Sequence, residues 1–352
     1  MSKAISSIIG TLLMLIITIG LFGFSYSFIS GVFTAKTAEV FSVVDSFGNS
    51  VTISNDGTQS ITSMRVTLDG SNVDDPSLVA YWSFNDGSGT TAKDSGGNND
   101  GTLMNSTSAT CFINGACPEW VEGRHGFALD FSRGDYVNAG NDSSLKITGD
   151  LSIEAWVRIN SSDITGNPAI VSKWAGSVPN QRAYSIGFNL SDAITFAISK
   201  DGTFIGGASI INSTATFAGG PNWYHFVGTY KSVTDGTSKM NLYINGIKAT
   251  AEVTTAVSPI FGSPVNLTIG ASSPGSGQFN GTIDDVRIYN RALTADEILI
   301  EYNNPGYLNP GKVYITPGKL LTIYFDPSLS KGSHTVRMCT SSTCNTAVLR
   351  IN

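Results

Sequence analysis

Few residues in this chain have the side chains that a reaction or a tight binding site needs. Its four cysteines fall into two close pairs, Cys111/Cys117 and Cys339/Cys344, each spanning turn-forming residues. Thiolate metal sites favour C-x-x-C spacing with histidine partners, whereas His125, His225 and His334 are scattered. The pairs read as two local disulfides, which suit an oxidising exterior, with paired free thiols as the alternative. Closing such short loops gains little chain entropy and chiefly fixes loop shape. Acidic chemistry is equally sparse. A retaining glycosidase needs two carboxyl groups ~5 Å apart, and on a strand residues i and i+2 share a face. Glu154, in Ile153-Glu154-Ala155-Trp156-Val157, has no acid at i+2 or i+4, and the adjacent Asp284 and Asp285 are expected to point to opposite faces. Glu154 therefore reads as a structural acid, and the chain is expected not to be an enzyme.

The elements that carry these residues are mostly strands. The chain has 352 residues, a net charge of −6 and only 14% charged residues. It has no basic stripe, which argues against nucleic acid as a partner. Short alternating runs recur between turn formers, as in Leu151–Ile159, Trp223–Lys231 and Met240–Asn245, where Asn245-Gly246 is a hairpin signal. Such a series without helices predicts two packed antiparallel sheets. Three more strands are predicted between Glu39 and Leu68, and their partners appear only at the far end, between Lys319 and Ile351. Three short strands are too few for a core of their own, so the two ends are expected to form one small split β-domain. The block between them would be a second domain inserted at an exposed turn.

The N-terminus differs in kind. From Ile5 to Ala35 the chain has no charged residue, with Lys3 before the run and Lys36 after it. About 30 residues of helix reach ~45 Å, more than a bilayer core requires. The run is too long for a secretory signal peptide. Lys3-Ala4 followed by Ile5-Ser6-Ser7-Ile8-Ile9-Gly10-Thr11-Leu12 resembles the start of archaeal type IV pilins. That resemblance implies cleavage between Ala4 and Ile5, a retained helix that anchors in the membrane, and assembly with other pilin-like subunits. The family's frequent proline near Ser7 and the glutamate of bacterial pilins are absent. A plain uncleaved membrane anchor is the alternative. The split domain, with Val51-Thr52-Ile53-Ser54-Asn55-Asp56-Gly57 and Ile315-Thr316-Pro317-Gly318-Lys319, resembles the small β-sandwich of archaeal pilins and archaellins.

The inserted block carries a second resemblance. Tyr81-Trp82-Ser83-Phe84-Asn85-Asp86-Gly87, Gly126-Phe127-Ala128-Leu129-Asp130-Phe131, Ser152-Ile153-Glu154-Ala155-Trp156 and Gly281-Thr282-Ile283-Asp284-Asp285-Val286-Arg287-Ile288-Tyr289 occur in that order. Together they resemble the LamG-like jelly-roll family, which has a concanavalin A-like fold. In that fold the first and last strands are neighbours, so the Asp94–Asp100 loop would lie near Asp284. The resemblance implies a structural Ca2+ held by Asp94, Asn98 and Asp284. The alternative is that Asp94 and Asn98 shape a turn and Asp284 pairs with Arg287 or Arg291. Sugar binding is a family-level implication, for which Trp174, Tyr184, Trp223 and Tyr230 are candidate groove aromatics, although core positions suit them equally. N-x-S/T sequons at Asn105, Asn141, Asn160, Asn189, Asn212, Asn266 and Asn280 are candidate glycosylation sites.

The expected fold class is thus mainly β, with a long N-terminal hydrophobic α-helix and a small split pilin-like β-sandwich that holds an inserted LamG-like jelly roll. The expected segments are a leader over 1–4, a helix over 5–36, the split domain over 37–73 plus 311–352, and the jelly roll over 74–310. The expected role is a membrane-anchored, cell-surface pilin-like subunit with its C-terminal domains outside, for adhesion or recognition of glycans or a partner cell surface. A non-polymerising anchored lectin and a concanavalin-fold glycan hydrolase are the competing readings.

Overall fold

A computed structural model describes residues 39–351 except 63, 106–110, 112–116, 132–133, 161–165, 176–179, 218, 307 and 327. The expected N-terminal helix over 5–36 and the processing positions Ala4 and Ile5 lie outside these residues. The fold-class expectation is corrected by what is described. The protein is mainly β, its one described α-helix is Ala295–Asn303, and no described helix is long and apolar enough to cross a membrane.

The described chain divides into two compact units, one of residues 39–72 with 315–351 and the other Val73–Tyr314. The sequence-based boundaries were 73/74 and 310/311. The described residues of the smaller unit form two sheets. One orders Phe41–Phe47, Ser50–Asn55 and Leu320–Tyr324, and the other orders Cys344–Ile351, Gly332–Cys339, Arg65–Leu68 and Ser71–Asn72. Alternation buries Val51 and Ile53 from one sheet and Val66, Val336, Met338 and Leu349 from the other. Asn55, fully buried, donates from Nδ2 to the Gln59 and Ile315 carbonyls and accepts from Gly57 N, which shapes the turn Asn55-Asp56-Gly57.

The larger unit is a two-sheet sandwich. The eight-stranded sheet runs Ala208–Thr216, Ala193–Gly202, Arg182–Phe188, Ala169–Trp174, Thr268–Ile269, Tyr136–Asn138, Gly101–Met104 and Thr91–Ala92. The nine-stranded sheet has the strands Trp223–Lys231, Leu151–Ile159 and Gly281–Tyr289 side by side, with Leu78–Trp82 also paired to Gly281–Tyr289. First and last strands are therefore neighbours, with Trp82 opposite Val286. Between the sheets lies one large apolar core. Alternate residues enter it: Ile153, Ala155 and Val157 from one sheet, Tyr184, Ile186, Ile194, Phe196 and Ile198 from the other.

The outer faces of the two sheets differ. On the nine-stranded sheet the outward residues Glu154 and Trp156 are still buried, and Trp156 stacks on Tyr302 of the helix Ala295–Asn303 at 5.5 Å. That helix begins with a capping box between Thr294 and Glu297, and Arg291 ties Glu297 to Asp75. On the eight-stranded sheet the outward residues include Ser185, Gly187, Thr195 and Ala197, which line an open groove.

Candidate functional site

The groove of about 390 Å³ lies on the outer face of four successive strands of the eight-stranded sheet. Its position follows from the alternation that fills the core. Tyr184, Ile186, Ile194 and Phe196 turn inward, so Ser185, Gly187, Thr195 and Ala197 must turn outward. These are small side chains, and they leave a shallow floor. At Gly187 no larger residue fits, because a Cβ would meet Pro168 O at 2.3 Å.

Bulk comes from two aromatic rings. Trp174 ends the strand Ala169–Trp174, and Phe204 sits in the turn between Ala193–Gly202 and Ala208–Thr216. The rings meet edge-to-face with centroids 6.3 Å apart. The turn that presents Phe204 is fixed by Asp201, whose Oδ1 accepts from Thr203 N at 2.9 Å and Thr203 Oγ1 at 2.6 Å. Phe204 stays 52% exposed and Ile205 91% exposed. An aromatic left this exposed gains burial only when something covers it. Around the rings stand hydrogen-bonding side chains, including Asn167, Asn189, Asn212, Ser272 and Ser276, and every described lining residue is uncharged. Asn212 Oδ1 accepts from Thr195 Oγ1 at 2.7 Å, and Asn189 Oδ1 accepts from Ser191 N at 2.9 Å. Asn189 Nδ2 also donates to Asn212 Oδ1 at 3.5 Å, which links the two amides, and each Nδ2 still has an N–H to offer a ligand.

Of the candidate groove aromatics, only Trp174 lines this site. Tyr184 and Tyr230 are fully buried, with hydroxyls bonded to Leu145 O and Val257 O, and burial pushes the Tyr184 hydroxyl well above its ordinary range. Trp223 carries the Arg158 guanidinium 5.2 Å from its ring centre. Sequence reasoning missed Phe204. The available signal was Phe204-Ile205-Gly206-Gly207, an apolar pair in a glycine turn where a polar loop is usual.

The three expected calcium ligands have different surroundings. Asp94 Oδ1 accepts from Tyr81 N, Gly96 N and Gly97 N, and Oδ2 accepts from Asn99 N and Asn99 Nδ2, all at 2.8–3.0 Å. A carboxylate bonded by five N–H groups fastens its own loop and is not free for an ion. Asn98 is exposed, and it is Asn99 that turns inward. Asp284 is buried beside His125 and Asp285. Burial and the neighbouring Asp285 charge push the Asp284 carboxyl well up. The adjacent acids do not point to opposite faces as predicted, because a bulge intervenes at Asp285.

Glu154 is fully buried and accepts from Arg287 Nη1 at 2.8 Å. Arg287 also lies 3.2 Å from Glu301 and 3.7 Å from Asp285, with its guanidinium 4.1 Å above the Tyr81 ring. The alternative pairing of Asp284 with Arg287 or Arg291 is not made. Arg287 pairs with Glu154, Glu301 and Asp285, and Arg291 pairs with Asp75 and Glu297. Both disulfides form, Cys111–Cys117 and Cys339–Cys344. Among the sequons, Asn189 and Asn212 line the groove, Asn160 and Asn266 are exposed, and Asn105, Asn141 and Asn280 are half-buried.

Residues 131–299 match the Laminin_G_3 family model of the concanavalin A-like lectin/glucanases superfamily. This match lies wholly inside the larger unit and does not reach the segments that carried the pilin-like resemblance. An 85-residue stretch is 36% identical to human (Homo sapiens) adhesion G-protein coupled receptor D1, covering 24% of this chain and 9% of the receptor. The chain thus spans about a tenth of that relative's length. Similar structures include domain 4 of AbnA, a GH43 extracellular arabinanase from Geobacillus stearothermophilus, in complex with arabinotriose (TM-score 0.45, 18% identity, 63% of this chain and 96% of that one). The binding domain of Paraclostridial Mosquitocidal Protein 1 is similar at TM-score 0.47 and 18% identity, over 64% of this chain and 52% of that one. Trypanosoma rangeli sialidase is similar at TM-score 0.44 and 17% identity, over 66% and 34%. These are likenesses of fold. The expectation that the chain is not an enzyme is corrected by the family match, because the matched superfamily is described as one of lectins and glucanases alike and gives no ground for that exclusion.

Proposed function

We propose that the larger unit is a recognition domain that binds a saccharide in the groove beside Trp174 and Phe204, in the service of adhesion to glycans or to a partner cell surface. The observation that carries this reading is the edge-to-face Trp174–Phe204 ring pair standing among uncharged amide and hydroxyl groups. A sugar ring offers an apolar C–H face to an aromatic plane and hydroxyls at its edge. The groove supplies the matching surfaces: rings for the face, and Asn189, Asn212, Thr195 and Ser185 for the hydroxyls. The two disulfides support an extracellular setting.

A panel of immobilised neutral and acidic oligosaccharides tests this, with the full chain as the analyte. The reading predicts saturable retention on a subset of neutral glycans, competed by the same glycan free in solution. No competable retention anywhere on a broad panel would contradict it.

A further inference from the structure

Adjacent residues on a regular strand face opposite ways, yet the carboxylates of Asp284 and Asp285 meet at one place. The cause is a register shift against the strand Leu151–Ile159. Glu154 stands opposite Arg287 and Trp156 opposite Asp284, so two residues, Asp285 and Val286, face Ala155 alone. Asp285 takes up the extra length with φ +49°, a left-handed conformation that aspartate tolerates. His125 reaches the same place from the loop before the strand Phe127–Phe131. One ligand atom from each of His125, Asp284 and Asp285 lies within 4.8 Å of the other two.

The hydrogen bonds leave this cluster incomplete. Asp285 Oδ2 meets His125 Nδ1 at 2.7 Å, and Asp285 Oδ1 accepts from Tyr81 OH at 2.5 Å. Asp284 Oδ2 accepts from Arg124 N at 2.8 Å and His125 N at 3.0 Å. Asp284 Oδ1 is buried with no hydrogen-bond partner among the described residues, in a side chain of 0% exposure. Two carboxyl groups buried side by side, with an imidazole against one of them, offer converging donor atoms to a cation. Arg287 serves Asp285 at 3.7 Å while also shared with Glu154 and Glu301, and it does not pair with Asp284. The His125 side chain is 31% exposed, so an ion has a route in from solvent.

We propose that His125, Asp284 and Asp285 form a site for one divalent metal ion of the Zn2+ class. The imidazole decides the class. Calcium takes an all-oxygen shell, whereas mixed nitrogen and carboxylate donors suit borderline ions such as Zn2+. The site is separate from the groove, and saccharide binding does not depend on it. Gly123 keeps the loop close, since a Cβ there would come within 2.6 Å of Asp284 Oδ2.

The test uses the full, untagged chain stripped with a chelator and titrated with Zn2+ by calorimetry, with Tm measured alongside. One ion per chain should bind and raise Tm. His125→Ala should weaken that binding at least ~10-fold while leaving the circular dichroism of the stripped protein unchanged. Asp284→Asn should behave likewise, and should it fail to fold, the partly exposed His125 still carries the test. Absence of Zn2+ binding, Zn2+ binding unchanged by His125→Ala, or a response to Ca2+ as large as that to Zn2+ would overturn the proposal.

Discussion

Arg287 donates to Glu154 at 2.8 Å in the interior of the larger unit, and this one guanidinium also serves Glu301 and Asp285. One cation thus stands among three buried carboxylates. Burial, reinforced by the Glu301 charge and only partly offset by Arg287, pushes the Glu154 carboxyl up to about 7. Desolvation, with Arg287 adding to it, pushes the nearby His225 down to about 3.

These shifts give a pH signature. Folded Glu154 holds its proton more tightly than the unfolded chain does, so its contribution to stability falls as pH rises from 4.5 to about 7. Folded His225 refuses a proton that the unfolded chain accepts, so its contribution is lost as pH falls from 6.5 towards 3. The two oppose each other between pH 4.5 and 6.5. Glu154→Gln removes one of them, and denaturant melts across pH 4–8 should then show stability climbing with pH through that window more steeply than in the parent chain. Parallel curves would contradict the assignment.

Arg287→Met should be among the most damaging single changes in the larger unit. It leaves buried carboxylates unpaired, a loss of about 3–5 kcal/mol in comparable sites. Arg287→Lys should recover little, because an ammonium cannot span Glu154 and Glu301 in the same fork. Both are read as denaturation midpoints.

Asp94→Ala would strand five N–H donors at once. Buried donors without acceptors cost about 1–3 kcal/mol each, so a loss above ~3 kcal/mol is expected even where some donors find water. Millimolar Ca2+ should not change the Tm of the parent chain through this loop. A Ca2+-dependent stabilisation abolished by Asp94→Ala would restore Asp94 as a ligand.

Asn189 and Asn212 are sequon asparagines whose side chains line the groove. An N-linked glycan at either would fill the space assigned to the ligand. Peptide mass spectrometry of the protein from its own host should therefore find both unmodified, whatever the state of exposed Asn160 and Asn266.

How far the sequence spoke depended on whether neighbours or partners define a feature. The strands of the sandwich were legible because period-2 runs such as Leu151–Ile159 and Trp223–Lys231 are local, and so was each disulfide, whose cysteines sit in one turn. Asp285 was misread because the alternation rule assumes a regular strand, and a bulge is set by the register of two strands. The role of Asp94 in fastening its loop was not legible, because the five N–H groups it accepts from come together only once the loop is folded. The groove was invisible for a related reason. Ser185, Thr195 and Ala197 are unremarkable residues, and they become a floor only when four strands lie side by side.

The most direct test of the central claim is the affinity of Trp174→Ala for a glycan retained by the parent chain, measured by calorimetry beside its Tm. The account predicts binding weakened ten- to a hundredfold, about 1.4–2.8 kcal/mol, with Tm nearly unchanged because the ring is not part of the core. Binding equal to that of the parent chain would show that the saccharide sits elsewhere.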